Sequence, residues 1–150
     1  MPQSLSEVYV HIVFSTKNRF PFLFPPIRKE MHRYIAGICT NLNCYPRIVN
    51  GTSDHVHIVC ELARTISISE MVEEIKRGSS KWIKSKGAQF KKFHWQNGYG
   101  IFSVSASLLQ NVIQYVQNQE QHHRYKSFQE EFRELLKAHG VQFDERYVWD

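Results

Sequence analysis

The sequence predicts an α+β fold, a single antiparallel sheet with helices packed on one face. Three observations predict it. Apolar residues alternate with period two along Val8–Ser15 and His55–Leu62, and they recur at helical spacing in three longer stretches. The runs follow one another as strand, helix, strand, strand, helix, strand, helix. At 150 residues and 42% hydrophobic content the chain supports one domain, spanning 1–150, with a sizeable core.

Val8, Val10, Ile12 and Phe14 alternate with Tyr9, His11, Val13 and Ser15, which makes this a first, central strand. After Pro21, Pro25 and Pro26, the residues Ile27, Met31, Tyr34, Ile35, Ile38 and Leu42 mark a helix from about Pro26 to Leu42, with Pro26 suited to its first turn. Arg47–Val49 is a short strand closed by an Asn50-Gly51 turn, and the strand from His55 to Leu62 follows at hairpin distance. There Val56, Ile58, Cys60 and Leu62 share the core face, leaving His55, His57, Val59 and Glu61 on the other. Ser67 and Glu70 form a capping box ahead of Ile68, Val72, Ile75, Ser79, Trp82 and Ile83, a second helix. A loop over Gly87–Lys92 and a turn at Gly98 lead into a strand over Ile101–Ala106. Ser107 can cap a third helix, at about 107–122, whose stripe is Leu108, Leu109, Val112, Ile113 and Val116. Ser127 with Glu130 caps a last helix, carried by Phe128, Phe132, Leu135 and Leu136 and stopped by Gly140. Together with Val141–Trp149, a strand or extended arm, it makes up a C-terminal helix-plus-arm unit at about 127–150. This element order is the ferredoxin-like one.

The formal charge is +5, and its distribution says more than its sum. No Asp or Glu occurs from Ile75 through Gln119, while Lys76, Arg77, Lys81, Lys84, Lys86, Lys91 and Lys92 all fall there. A one-signed field of this kind draws polyanions, and Lys76, Arg77, Lys81, Lys84, Lys91 and Lys92 are the expected DNA-backbone contacts. Acids return at Glu120, Glu130, Glu131, Glu134, Asp144, Glu145 and Asp150, making the tail a poor nucleic-acid surface. Three cysteines, Cys39, Cys44 and Cys60, offer neither a disulfide framework nor a Cys-x-x-Cys knuckle, so a reducing cytoplasm is the expected compartment. No run approaches 18 apolar residues, and neither export nor membrane spanning is expected.

His55 and His57, one residue apart on a strand, point the same way and can reach one ion. Taken alone, the pair fits surface or packed imidazoles as well. Glu61 lies four residues along the strand, too far to join them, and His11 suits packing or a place beside substrate. Tyr115 and Gln119 share a face of the third helix, at the edge of its apolar stripe. Gln119 offers a neutral oxygen acceptable to Mg²⁺ or Mn²⁺, or else an ordinary helix hydrogen bond. Tyr115 is a candidate nucleophile, needing a nearby positive charge or base because its hydroxyl ionises near pH 10; its plainer role is a half-buried aromatic. No phosphate-binding Gly-Lys loop and no three-acid cluster offers a different phosphate chemistry.

Asp54-His55-Val56-His57-Ile58-Val59 resembles the His-hydrophobic-His core of the HUH nucleases. Tyr115-Val116-Gln117-Asn118-Gln119-Glu120 resembles the tyrosine helix of the single-tyrosine transposases of small bacterial insertion sequences, the IS200-like family. The flanks Val10–Lys17 and Trp95–Ser105 are similar too. The resemblance implies a metal-dependent enzyme that cuts single-stranded DNA, becomes joined through Tyr115 to the 5′ phosphate and frees a 3′ hydroxyl. It also implies His55, His57 and Gln119 as ligands of Mg²⁺ or Mn²⁺, hairpin-containing element ends as substrate, and a homodimer in which each tyrosine helix can serve the partner subunit. The same core serves host-captured nucleases acting on genomic repeats. A noncatalytic single-stranded nucleic-acid module is the other alternative, with Phe14, Trp95, Tyr99 and Phe102 as stacking residues.

Overall fold

The computed structural model describes residues 2–150. Four antiparallel strands, β1 (Tyr9–Ser15), β2 (Pro46–Gly51), β3 (His55–Glu61) and β4 (Gly100–Val104), form one sheet in the order β2-β3-β1-β4. Helices α1 (Pro25–Asn41) and α2 (Ile68–Lys84) connect them, completing the ferredoxin-like arrangement expected from the element order. Val10, Ile12, Phe14, Val56, Ile58 and Cys60 meet Ile27, Met31, Ile35, Met71, Val72 and Ile75 in the main core.

The opposite sheet face differs from the expectation of helices on one side only. It is covered by α3 (Leu109–Gln117), the single turn α4 (Gln119–His122) and α5 (Phe128–Ala138). The physical reason is that this face is itself apolar around its histidines. Tyr9 and Val59 pack with Leu109 and Val116, while Val13 and Phe102 pack with Phe128, Phe132 and Leu136. All seven β1 residues are consequently buried. Gly100 lets α5 approach closely, since a Cβ there would run into the Phe132 ring.

Ser67 and Ser127 each accept a hydrogen bond from the backbone N–H three residues on, at 3.1 and 3.2 Å, so both capping boxes start their helices. Gly140, at φ +67°, ends α5. The N–H groups of Val141 and Gly140 return to the carbonyls of Leu136 (2.9 Å) and Lys137 (3.1 Å), a Schellman closure.

Three local expectations change. Asn50 and Gly51 lie within β2 rather than in the hairpin turn, because Asn50 pairs with His57 and Gly51 with Val56. The third helix does not run unbroken over 107–122: Ser107 makes no capping bond and lies in a 3-10 turn, and Asn118, at ψ 22°, separates α3 from α4. The terminal arm forms no strand. It folds back through turns, with Trp149 against Phe128 and Phe132 and the Val148 carbonyl accepting from Gln96 Nε2 at 3.4 Å.

Freed from the turn, Asn50 has another task. Its Nδ2 donates to the carbonyls of Val116 (2.9 Å) and Gln117 (3.2 Å), tying the end of α3 to β2 just before the break that turns Gln119 inward. Asn50→Ala leaves those carbonyls with one fewer donor each and is expected to cost about 1–2 kcal/mol in urea unfolding. A midpoint unchanged from wild type would remove this tie from the fold's supports.

Candidate metal centre and tyrosine site

Antiparallel register builds the first half of the site. Ser15 lies opposite His55, Val13 opposite His57 and His11 opposite Val59, so His11 and His57 are diagonal neighbours on one face. Both rings, with that of His55, are buried. His57 Nδ1 and His11 Nε2 are 2.7 Å apart, a hydrogen bond that turns His57 Nε2 away from His11. His55 Nδ1 faces Asp54 Oδ1 at 2.7 Å and Thr52 Oγ1 at 3.0 Å, leaving His55 Nε2 to point inward. A carboxylate behind an imidazole in this way fixes the ring for a metal.

The helices build the second half. Gln119 is fully buried, with Oε1 3.0 Å from His55 Nε2. The structure thus brings together the four residues singled out in the sequence, and adds two more, Glu131 on α5 and His123 just past α4. Glu131 Oε1 is 2.9 Å from His57 Nε2, 3.0 Å from His123 Nε2 and 3.5 Å from His55 Nε2. Its Oε2 accepts from Gln119 Nε2 at 2.9 Å and from the Tyr115 hydroxyl. Ligand atoms of His55, His57, His123 and Glu131 all lie within 4.8 Å of one another.

A signal for one of the two added residues was present. Glu131 sits inside the apolar stripe Phe128, Phe132, Leu135, where an unpaired carboxylate has no reason to be. His123 carries no such mark, since one imidazole after a helix break is ordinary surface. Tyr115 and Gln119 meet histidines of their own chain.

The donors are three imidazole nitrogens, one carboxylate oxygen and one amide oxygen, and they fit a divalent ion. Mg²⁺ prefers oxygen ligands throughout, so this mixed set suits Mn²⁺ better. Burial favours an uncharged Glu131, but hydrogen bonds from His123, His55 and His57 outweigh it and hold the carboxyl far below its ordinary range. Burial lowers the pKa of His57, only partly offset by Glu131, and it lowers that of His11 further. Burial and the adjacent Glu131 carboxylate raise the Tyr115 phenol well above its ordinary value.

For His55, burial opposes the charge, yet Asp54 and Glu131 together push the pKa up to about 9 from 6.5. A folded-state value above the unfolded one stabilises fully below pH 6.5 and is lost as pH rises through 9. The contribution of His55 alone, on the order of 3 kcal/mol of unfolding free energy in the metal-free protein, is therefore expected to be lost across that window, partly offset above pH 8 by Lys76, whose pKa burial lowers to about 8. Urea midpoints that stay level from pH 6.5 to 9 would contradict the charged His55 arrangement.

The basic residues divide. Lys76 serves as a structural pin. Its ammonium donates to the carbonyls of Gln96 (2.8 Å), Asn97 (3.2 Å) and Gly98 (2.6 Å), and burial lowers its pKa to about 8. Arg77 pairs with Glu73 and Glu74 on its own helix. Lys81, Lys84, Lys91 and Lys92 are exposed and make no ion pair among the described residues. Lys91 and Lys92 line a groove of about 650 Å³ with Lys17, Phe20 and Phe22, and no acid lines it.

A ferredoxin-like sheet whose paired histidines face a tyrosine helix defines a class of DNA-processing enzyme. Residues 4–119 match the family described as transposase IS200 like, about three quarters of the chain. The chain belongs to that family, whose members cut and rejoin DNA. Among solved structures, it is similar to one from Deinococcus radiodurans R1 assigned as a transposase, at 20% identity and TM-score 0.62, covering 79% of this chain and 98% of that one. It is also similar to a REP-associated tyrosine transposase bound to a REP hairpin, at 12% identity and TM-score 0.62, covering 84% and 74%. No curated protein matches. His123 and Glu131 lie beyond the matched residues. No helix of the described residues is long and apolar enough to cross a membrane.

Proposed function

We propose that this protein is a metal-dependent, single-strand-specific DNA transposase that cuts through a 5′-phosphotyrosine intermediate. The observation that carries it is one carboxylate, Glu131, shared between the Tyr115 hydroxyl and the imidazole cluster. Nucleophile and metal ligands are thereby held to a common point. His55, His57 and Gln119 hold the ion, and Glu131 and His123 complete the set.

Tyr115 Oη attacks the phosphorus while the bond to the 3′ oxygen breaks, leaving a phosphotyrosine and a 3′ hydroxyl. The chemistry supplied by a bound divalent ion, Mn²⁺ or Mg²⁺, is charge neutralisation at the phosphate. Glu131 orients the phenol through its hydrogen bond, and His11 and Asp54 hold the ring orientations of His57 and His55. Because the phosphodiester energy is kept in the phosphotyrosine, a later 3′ hydroxyl can rejoin strands without a nucleotide cofactor. Exposed Lys81, Lys84, Lys91 and Lys92 track the backbone, and Arg77 joins them by releasing its helix partners. The likeness to a hairpin-bound transposase supports hairpin-containing element ends as the substrate. Bringing two ends together calls for a homodimer, and cytoplasmic action fits the reduced cysteines.

The noncatalytic binding module loses its platform. Phe14, Trp95 and Phe102 are buried and Tyr99 is partly so, beneath packed neighbours. The deciding experiment incubates the protein with single-stranded and duplex oligonucleotides, with and without Mn²⁺ or Mg²⁺. A denaturation-resistant adduct on single strands only, and only with metal, is expected. Hydrolysed ends without an adduct would replace transposition with simple phosphodiester cleavage.

A further inference from the structure

A cavity of about 280 Å³ opens beside Tyr115, and His123 is not among the residues that line it. Its walls include His11 on β1, Phe102 on β4, Asn111 and Val112 on α3, and Leu135 with His139 at the end of α5. No Asp, Glu, Lys or Arg lines it. The other mouth of the site has the opposite character, a polar recess of about 330 Å³ with Arg28, Asp54, His123 and Lys126 in its lining.

We propose that the uncharged cavity takes one unpaired nucleobase of the bound strand, the base next to the phosphate that Tyr115 attacks. This rests on the phosphotyrosine reading above and names the part of the substrate held at that site. Four observations carry it. Tyr115 stands at the rim of both the cavity and the imidazole cluster, so a strand with its phosphate at the phenol has a neighbouring base within reach of the cavity. The volume lies close to the lower limit of small-molecule sites and is enough for one heterocycle. The absence of charge disfavours a phosphate there and favours a planar ring. Finally, Phe102 and His139 are already stacked, with centroids 4.4 Å apart at 25°, and the Asn111 amide offers both a donor and an acceptor to a base edge. Enzymes that act on a nucleotide commonly hold its unstacked base between apolar and aromatic walls in this way.

The test uses the full chain carrying Tyr115→Phe, so that binding is read without cutting. A labelled single strand containing the mapped cleavage step is bound in the presence of Mn²⁺, with one abasic site walked along it. One position beside the cleavage step is expected to weaken binding roughly tenfold when its base is missing. Adding Val112→Trp, which fills the cavity, is expected to make intact and abasic strands bind alike. Asn111→Ala, at an exposed position that keeps the test open should the tryptophan variant misfold, is expected to flatten the preference among the four bases at that position. A level abasic profile overturns the nucleobase pocket while leaving the cleavage reading intact, as does a penalty undiminished in both added variants. Failure of the wild-type protein to bind any single strand overturns the pocket and the DNA reading together.

Discussion

Tyr115→Phe is expected to abolish the covalent protein–DNA adduct, lowering its yield by at least about 10³-fold, while leaving a folded protein. The substitution removes one oxygen. The ring keeps its neighbours, His122 at 4.8 Å, His57 at 6.0 Å and His11 at 6.3 Å between centroids. Glu131 loses the phenol's hydrogen bond but retains those with His57, His123 and Gln119. Stability should therefore fall by only about 1 kcal/mol, the net worth of one hydrogen bond. Binding to single strands should persist, because the exposed lysines lie elsewhere. Labelled oligonucleotides resolved on a denaturing gel give the readout, and an undiminished adduct from the phenylalanine protein would move the nucleophile to another residue.

That expectation rests on features visible in the sequence, and the reason they were visible is periodicity. A strand repeats every two residues and a helix every 3.6, so the shared face of His55 and His57, and that of Tyr115 and Gln119, follow from spacing alone. What spacing does not give is the meeting of distant elements. Glu131 was counted as one more acid in an acidic tail, although its place between Phe128 and Phe132 put it on a buried face. Asn50-Gly51 carries the strongest hairpin-turn dipeptide, yet strand pairing with His57 and Val56 continues through it, and the Asn50 amide serves α3 instead. Lys76 belongs to a basic run by sequence and to three backbone carbonyls by position. In each case a long-range contact overrode a sound local signal.

The second large effect concerns Glu131, and here two roles make opposite forecasts. If the carboxylate is itself a ligand, Glu131→Gln removes the one anionic donor among three imidazoles, and Mn²⁺ affinity should fall by at least about tenfold. If the carboxylate only stands where the ion would sit, it competes with metal, and the same substitution should raise affinity. The buried position favours the first. Glu131 already bonds groups that would share the ion, and the two cationic charges of a metal replace the proton on His55 without requiring the carboxylate to leave an otherwise apolar helix face. In the metal-free protein the glutamine also leaves protonated His55 with Asp54 as its remaining carboxylate partner. Breaking a buried pair by removing one partner costs about 3–5 kcal/mol, and the loss should be felt most below pH 6.5, where His55 is charged in both folded and unfolded chains. The fall in stability from pH 6.5 to 9 should then become shallower than in wild type. Free Mn²⁺ measured by electron paramagnetic resonance, with urea midpoints on the same samples, separates the two roles without any DNA present; tighter Mn²⁺ binding by the glutamine protein would strike Glu131 from the ligand set.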